Sequence, residues 1–130
     1  SAEQVNALLA MGAAGVSVGT ALLTTAESGA CDAHRYYAEF GTACDTVLTR
    51  IYNGRLSRVL RNALVEALDD WELMTAGYPA QKALMGPLDR CASEVGRNDL
   101  VMLPLGQSAG RSAYRRTADC VHALFPRRAD

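Results

Sequence analysis

The stretch "AAGVSVGTALLTTAES", Ala13 to Ser28, decides how the rest of the chain is read. Val16-Ser17-Val18 runs into a Gly-Thr pair, and a second apolar run, Ala21 to Leu23, follows. Ala14 to Val18 is too short for a helix and carries two valines, which predicts a strand. Its low polarity suits a strand buried on both faces of a parallel sheet. Just upstream, Val5, Leu8 and Leu9 recur at helical spacing over Ala2 to Met11, and Gly12 stands where a C-terminal glycine belongs. Ser1 and Gln4 have the spacing of a capping box, so a helix begins at the first residue. Helix, short loop and buried strand is the order of an α/β protein. A chain that opens at a helix start without an initiator Met reads as a domain cut or a proteolytic product.

Gly19-Thr20 stands where the predicted strand ends and a short helix, Ala21 to Thr25, begins. Backbone N–H groups at such a junction lack partners, and the helix dipole adds partial positive charge. Glycine lets the backbone approach an anion, and threonine adds a donor. In (β/α)8 barrels a cofactor phosphate commonly lies at the loops after strands 7 and 8. By itself the pair reads first as a turn and second as a phosphate loop. Gly106-Gln107-Ser108-Ala109-Gly110 is a second glycine-bounded loop, with the same two readings.

Elsewhere the pattern is mostly helical. Gly29 ends the first run. Asp32 caps a helix to about Phe40, with Tyr36, Tyr37 and Phe40 turned partly inward. Asp45 to Arg50 is β-prone and ends at the Asn53-Gly54 turn. A helix is predicted over Ser57 to Leu73, its apolar stripe being Leu60, Ala63, Leu64, Ala67, Leu68 and Trp71. Gly77-Tyr78-Pro79 resets the chain. A further helix spans Pro79 to Val95, kinked or broken at Gly86-Pro87. Leu100 to Leu105 is extended and apolar. The last helix sets Tyr114, Ala118, Val121, Leu124 and Phe125 on one side and stops at Pro126, before a solvated tail, Arg127-Arg128. One strand among five or six helices leaves that strand without neighbours, which predicts that part of the fold is supplied elsewhere.

The totals exclude several classes. The chain has 130 residues, 49% apolar and 21% charged, with a net charge of -1. Those values fit one folded domain and exclude a disordered chain or a dedicated nucleic-acid binder. No run approaches the roughly 20 apolar residues of a membrane span. The first residues lack the basic start and apolar core of a signal peptide. Cys31, Cys44, Cys91 and Cys120 form no C-x-x-C pair, and neither His34 nor His122 sits at metal-ligand spacing from them. Four reduced thiols, no metal site and a cytoplasmic location are expected.

Taken in order, the pieces resemble the C-terminal part of the nitronate monooxygenase family, also known as 2-nitropropane dioxygenases. The pieces are "MGAAGVSVGT" (Met11 to Thr20), Glu27-Ser28, Ala33-His34 with Tyr37, "DTVLTRIYNGRLSRVLRN" (Asp45 to Asn62), Tyr78-Pro79-Ala80-Gln81 and Gly106 to Gly110. The resemblance covers about Ser1 to Gly110. It implies an FMN-dependent (β/α)8 TIM barrel. This chain would supply helix 7, strand 8 and the phosphate loop (residues 1–28), a helical insertion (29–99), and a closing loop with the terminal helix (100–130). It implies that Ser17, Val18, Gly19 and Thr20 contact FMN, with Gly19 and Thr20 on the phosphate. The Gln107-Ser108 loop would close over the same region. Ser17 and Val18 replace the family's usual Gln and Met, Ala21 its Arg, and Leu105 its Ala. A backbone role for Gly19 survives these changes.

By the family pattern, the catalytic histidine, the early strands and a Gly-Gly loop lie upstream of Ser1, so no catalytic residue is assigned here. His34 and His122 are read as packing residues. Asp45, Arg50, Arg61 and Asn62 are read as a polar network anchoring the insertion. With its N-terminal barrel portion, the implied protein oxidises alkyl nitronates with O2 through FMN. Two alternatives stand beside it. One is an FMN-dependent enoyl-acyl-carrier-protein reductase, which shares the strand-8 and "AGQ" layout; Tyr78-Pro79-x-Gln81 favours the monooxygenases over it. The other is a non-catalytic helical fragment, stable only as an oligomer or beside a partner chain.

Overall fold

Ser1 starts a helix, as its sequence predicts: its amino group donates to Gln4 Oε1 at 2.8 Å, and α1 runs Ala2–Ala10. The computed structural model describes residues 1–111 and 114–126; the tail Arg127-Arg128 lies outside them. Two compact units share the chain. The first joins the residues up to Gly41 with those from Ser108 onward, and the second runs from Thr42 to Gln107.

In the first unit, α1 ends at Met11, and Gly12 takes a φ of 97° beyond it, as a helix-terminating glycine does. Of the α1 stripe only Val5 is buried; Leu8 and Leu9 stay exposed. Residues 14–18 belong to no sheet among the described residues and none of them is buried, so the buried strand expected here is not formed within the described residues. A strand needs a ladder partner, and the described residues bring none to this segment. Its burial still alternates with period two. Val16, Val18 and Thr20 are half-buried, while Gly15, Ser17 and Gly19 face out. The helix expected from Ala21 is a single 3-10 turn, Thr20–Leu22. Helix α2 spans Asp32–Phe40 as predicted, but it buries His34 and Ala38, and Tyr36 and Phe40 point outward. Exposed Tyr36 packs on Tyr37 and Phe40 within the helix itself. Helix α5, Thr117–Leu124, buries Cys120 and Leu124 against Val5. Ala118, Val121, Phe125 and His122, expected on its packed side, are exposed.

The second unit is built on a hairpin. Strand β1, Thr46–Thr49, pairs antiparallel with β2, Ser57–Leu60, in the register Thr46↔Leu60 to Thr49↔Ser57. The loop between them needs Gly54. Its φ is 81°, and a Cβ there would press on Ala76 O and Tyr78 N. The segment after Leu100 extends β2: Leu60 N–H donates to Leu103 O at 2.8 Å and Leu105 N–H to Arg58 O at 3.2 Å. Val101, Leu103 and Leu105 are buried alternately along it.

The helix predicted from Ser57 is therefore a strand first. Leu60, Leu64 and Leu68 keep an i, i+4 spacing by coincidence across a strand–helix junction. Helix α3 is only Ala63–Leu68, and a 3-10 segment, Asp69–Met74, follows with Trp71 exposed. Helix α4, Ala80–Glu94, continues through Gly86-Pro87 without the expected break. Gln81 fastens its first turn. Its Nε2 donates to Ile51 O, and its Oε1 accepts from Ala76 N–H at 3.1 Å.

The expected four-residue polar network resolves into separate parts. Asn62 is its buried hub. Oδ1 accepts from Tyr52 Oη at 2.9 Å and from Val65 N–H at 3.1 Å, which caps α3; Nδ2 donates to Val101 O at 2.9 Å. Asp45 instead caps locally, accepting from the N–H and hydroxyl of Thr42 at 2.7 and 2.8 Å, which hold its carboxyl below the usual range. Arg50 pairs with Glu72 at 3.9 Å, and Arg61 contributes its N–H to Asp45 O.

Two outcomes follow from Asn62 and Tyr52. Asn62→Ala removes a cap and leaves the Tyr52 hydroxyl and the Val101 carbonyl with only their mutual bond at 3.3 Å, and should cost about 1–2 kcal/mol in chemical unfolding. Asn62→Ser should recover part of that by restoring the cap. Burial, reinforced by the nearby Asp89 charge, pushes the Tyr52 hydroxyl up to about 12. A raised folded-state value means that this stability is complete below the unfolded value near 10 and is lost as pH rises towards 12. Tyrosinate absorbance should show one late-titrating tyrosine, absent in Tyr52→Phe.

Candidate functional site

The segment from Ser17 to Thr20 lies wholly in the first unit. Its inward side chains, Val16 and Val18, pack with Ala21, Leu22 and Tyr114 on the Val5–Cys120–Leu124 cluster. Val18 is therefore held by its side chain, and what it offers a ligand is backbone. Ser17 presents its hydroxyl on the opposite, exposed face.

Gly19 sits at the end of this segment with φ −117° and ψ −70°, a negative φ. A Cβ added there would meet nothing within 4 Å. Among the described residues, crowding does not account for glycine at this position. The 3-10 turn closes behind it through Leu22 N–H to Gly19 O at 2.9 Å and Leu23 N–H to Thr20 O at 3.1 Å. Gly19 and Ala21 flank Thr20 at the start of that turn.

Polar cross-links fix the loop that follows. Thr24 Oγ1 donates to Tyr114 O at 3.0 Å, and Ala26 N–H to Arg115 O at 2.9 Å. Glu27 caps α5 from outside the helix, accepting from Thr117 N–H at 3.1 Å and from its hydroxyl at 3.3 Å. The backbone N–H groups of Glu27 itself and of Thr117 hold that carboxyl below its usual range. Arg35 donates to the carbonyls of Thr25, Ser28 and Ala30, tying the loop to α2. Cys120, buried beneath the 3-10 turn, directs its thiol at Ala21 O at 3.8 Å, and burial pushes that thiol up. The Glu27–Thr117 cap escapes a sequence reading, because no spacing rule joins residues 90 apart.

Gln107 and Ser108 occupy a turn with exposed side chains. Ala109 is buried beside them. The turn is anchored by Gly110 N–H on Ala38 O at 3.0 Å and by Arg111 N–H on Ser108 O at 3.1 Å. Gly110, unlike Gly19, is demanded by the fold: its φ is 78°, and a Cβ would collide with Gly41 O. The structure thus brings Ser17, Val18, Gly19 and Thr20 together in one segment, and Gln107 with Ser108 in another. His34 is buried and His122 exposed. All four cysteines are unpaired, and among the described residues no group of three or more His, Cys, Asp and Glu could hold a metal. Among the described residues, no helix is long and apolar enough to cross a membrane.

Comparison with known proteins agrees with this layout. The family model described as nitronate monooxygenase matches residues 1–124. A probable nitronate monooxygenase of Staphylococcus aureus strain Newman is 33% identical over 104 residues, covering 80% of this chain and 29% of that protein. Its counterpart in strain JH9 matches over the same extent. A solved nitroalkane oxidase from Streptomyces ansochromogenes superposes with a TM-score of 0.81 at 31% identity, over 95% of this chain and 35% of its own. The chain therefore spans about a third of the length of these relatives. With the family model matched almost from end to end, the chain belongs to the nitronate monooxygenase family.

Proposed function

We propose that this chain forms the phosphate end of a flavin site in an FMN-dependent oxidoreductase that oxidises alkyl nitronates with O2. In this reading residues 14–18 are the eighth strand of a (β/α)8 barrel, completed by its N-terminal portion. The protein works in the cytoplasm. The observation that carries the reading is the place of Gly19, directly before a 3-10 turn and with open space where a Cβ would stand, in a chain matched by the nitronate monooxygenase family model. A bound phosphate gives both features a reason: the missing Cβ admits the anion, and the N–H groups donate to it.

Each residue then has a defined task. Gly19 and Thr20 hold the phosphate, chiefly by backbone. Val18 fixes the segment from below through the Val5–Cys120–Leu124 cluster. Ser17 offers a hydroxyl on the exposed face. Glu27 and Arg35 keep the loop after Thr20 from moving. FMN, when bound, supplies the two-electron acceptor that substrate reduces and O2 reoxidises. The residues here bind and orient; none is assigned as the catalytic base. The same unpaired segment favours a second reading of the chain on its own, in which residues 14–18 are covered by association.

Titrating the purified chain with FMN and following the visible flavin spectrum tests the site. A bound-flavin spectrum is expected, with Gly19→Ala weakening binding about tenfold, or 1.4 kcal/mol. The same substitution should leave unfolding within about 0.5 kcal/mol of the parent, since its φ and space accept alanine. Gly110→Ala should instead destabilise the chain by at least about 1 kcal/mol. Equal FMN affinity in the parent and Gly19→Ala would end the phosphate assignment.

A further inference from the structure

The second unit holds a cleft of about 760 Å³ that the flavin reading does not use. The hairpin loop contributes Arg55, the segment before α4 contributes Tyr78, and one face of α4 contributes Lys82, Asp89 and Arg90. The α4 residues follow helical spacing, so they share that face. Three cations therefore line the cleft with one carboxylate, although the chain as a whole carries -1.

That carboxylate is partly engaged. Asp89 Oδ1 accepts from Met102 N–H at 2.9 Å, fixing the extended segment to α4. Among the described residues, Arg55, Lys82 and Arg90 enter no ion pair. Arg55 lies over the Tyr78 ring, 3.9 Å from its centroid, an arrangement that leaves the edge N–H groups of the guanidinium to donate. Arg90 lies along α4 beside Gly86, where an added Cβ would stand 3.6 Å from Nη1. Met102 supplies an apolar, adaptable wall.

Three unpaired cations around a concave surface with aromatic and thioether walls favour a ligand that is charged at one end and apolar at the other. The volume is that of a small-molecule site and far exceeds a single inorganic anion. We infer that this cleft binds a small organic anion, a carboxylate or phosphate ester carried on a flat apolar body. The charged end meets Lys82 and Arg90, and the flat body lies against the Arg55–Tyr78 stack and Met102. This site goes beyond the flavin reading and stands independently of it.

Calorimetric titration of the full chain with benzoate, phenyl phosphate, inorganic phosphate and benzyl alcohol tests the inference. Benzoate or phenyl phosphate should bind saturably at one site. Benzyl alcohol, which lacks the charge, and inorganic phosphate, which lacks the ring, should each bind at least about tenfold more weakly. The preferred anion identifies the head group, and either order supports the site. Lys82→Gln and Arg90→Gln should each weaken binding about tenfold with an unchanged melting temperature, and added salt should weaken it further. Arg97→Gln, at an exposed pair with Asp99, serves as the control and should change nothing. No saturable heat with either aromatic anion would overturn the inference. So would equal affinity for benzyl alcohol, or unchanged affinity in a folded Lys82→Gln/Arg90→Gln double variant.

Discussion

A buried amide has four hydrogen-bonding positions to fill, and the fold of residues 42–107 depends on how Asn62 fills them. Its oxygen takes the Tyr52 hydroxyl and the first free N–H of α3; its nitrogen takes the Val101 carbonyl. One side chain thus ties together the hairpin loop, the helix start and the segment that lies along β2. These contacts are in place where Ile51, Tyr52, Val59, Leu64 and Val65 form the apolar cluster, so the polar hub and the core specify the same arrangement. Gln81 repeats the device at the start of α4, with Ile51 O and Ala76 N–H as partners. Buried amides cost free energy when unsatisfied, and no buried side-chain nitrogen or oxygen among the described residues lacks a partner.

The first unit uses a different device. Its apolar cluster is small: Val5, Cys120 and Leu124, with half-buried neighbours. The loop between residues 20 and 30 is fixed instead by hydrogen bonds to backbone, from Arg35 to three carbonyls and from Thr117 to Glu27. Backbone bonding of this kind holds main-chain groups in place without filling the space in front of them. That is what a phosphate loop requires, since the ligand must reach N–H groups that side chains do not screen.

How much of this was legible follows from the range of each signal. Short-range signals held. The Ser1–Gln4 box, the glycine after α1, the bounds of α2 and the extended run after Leu100 all rest on neighbours within a few residues. Period-based readings failed where two elements abut. Leu60 belongs to β2 and Leu64 to α3, yet their spacing continues one helical stripe; Asn62 between them was the start signal that should have divided it. The outward turn of Tyr36 and Phe40 and the exposure of Trp71 were illegible for another reason. Bulk apolar character says that a residue prefers cover, not that this stretch of chain provides it. The candidate site was read as a glycine and a hydroxyl after an apolar run, while the Glu27–Thr117 cap, which fixes the loop after it, joins residues 90 apart and lies beyond any local pattern.

Residues 14–18 bring these lines together. Their side chains alternate as a strand's do, with Val16 and Val18 turned to the cluster, yet among the described residues their backbone makes no ladder. An extended segment with both edges open carries its N–H and C=O groups to solvent, and strand-to-strand pairing is the structure that such a segment is shaped to enter. Period-two patterning is what a segment lying on one apolar surface shows, whether or not a sheet continues it. Gly19, where an added Cβ would meet open space, ends that same segment, so the proposed ligand contact and the proposed strand are one continuous piece of backbone.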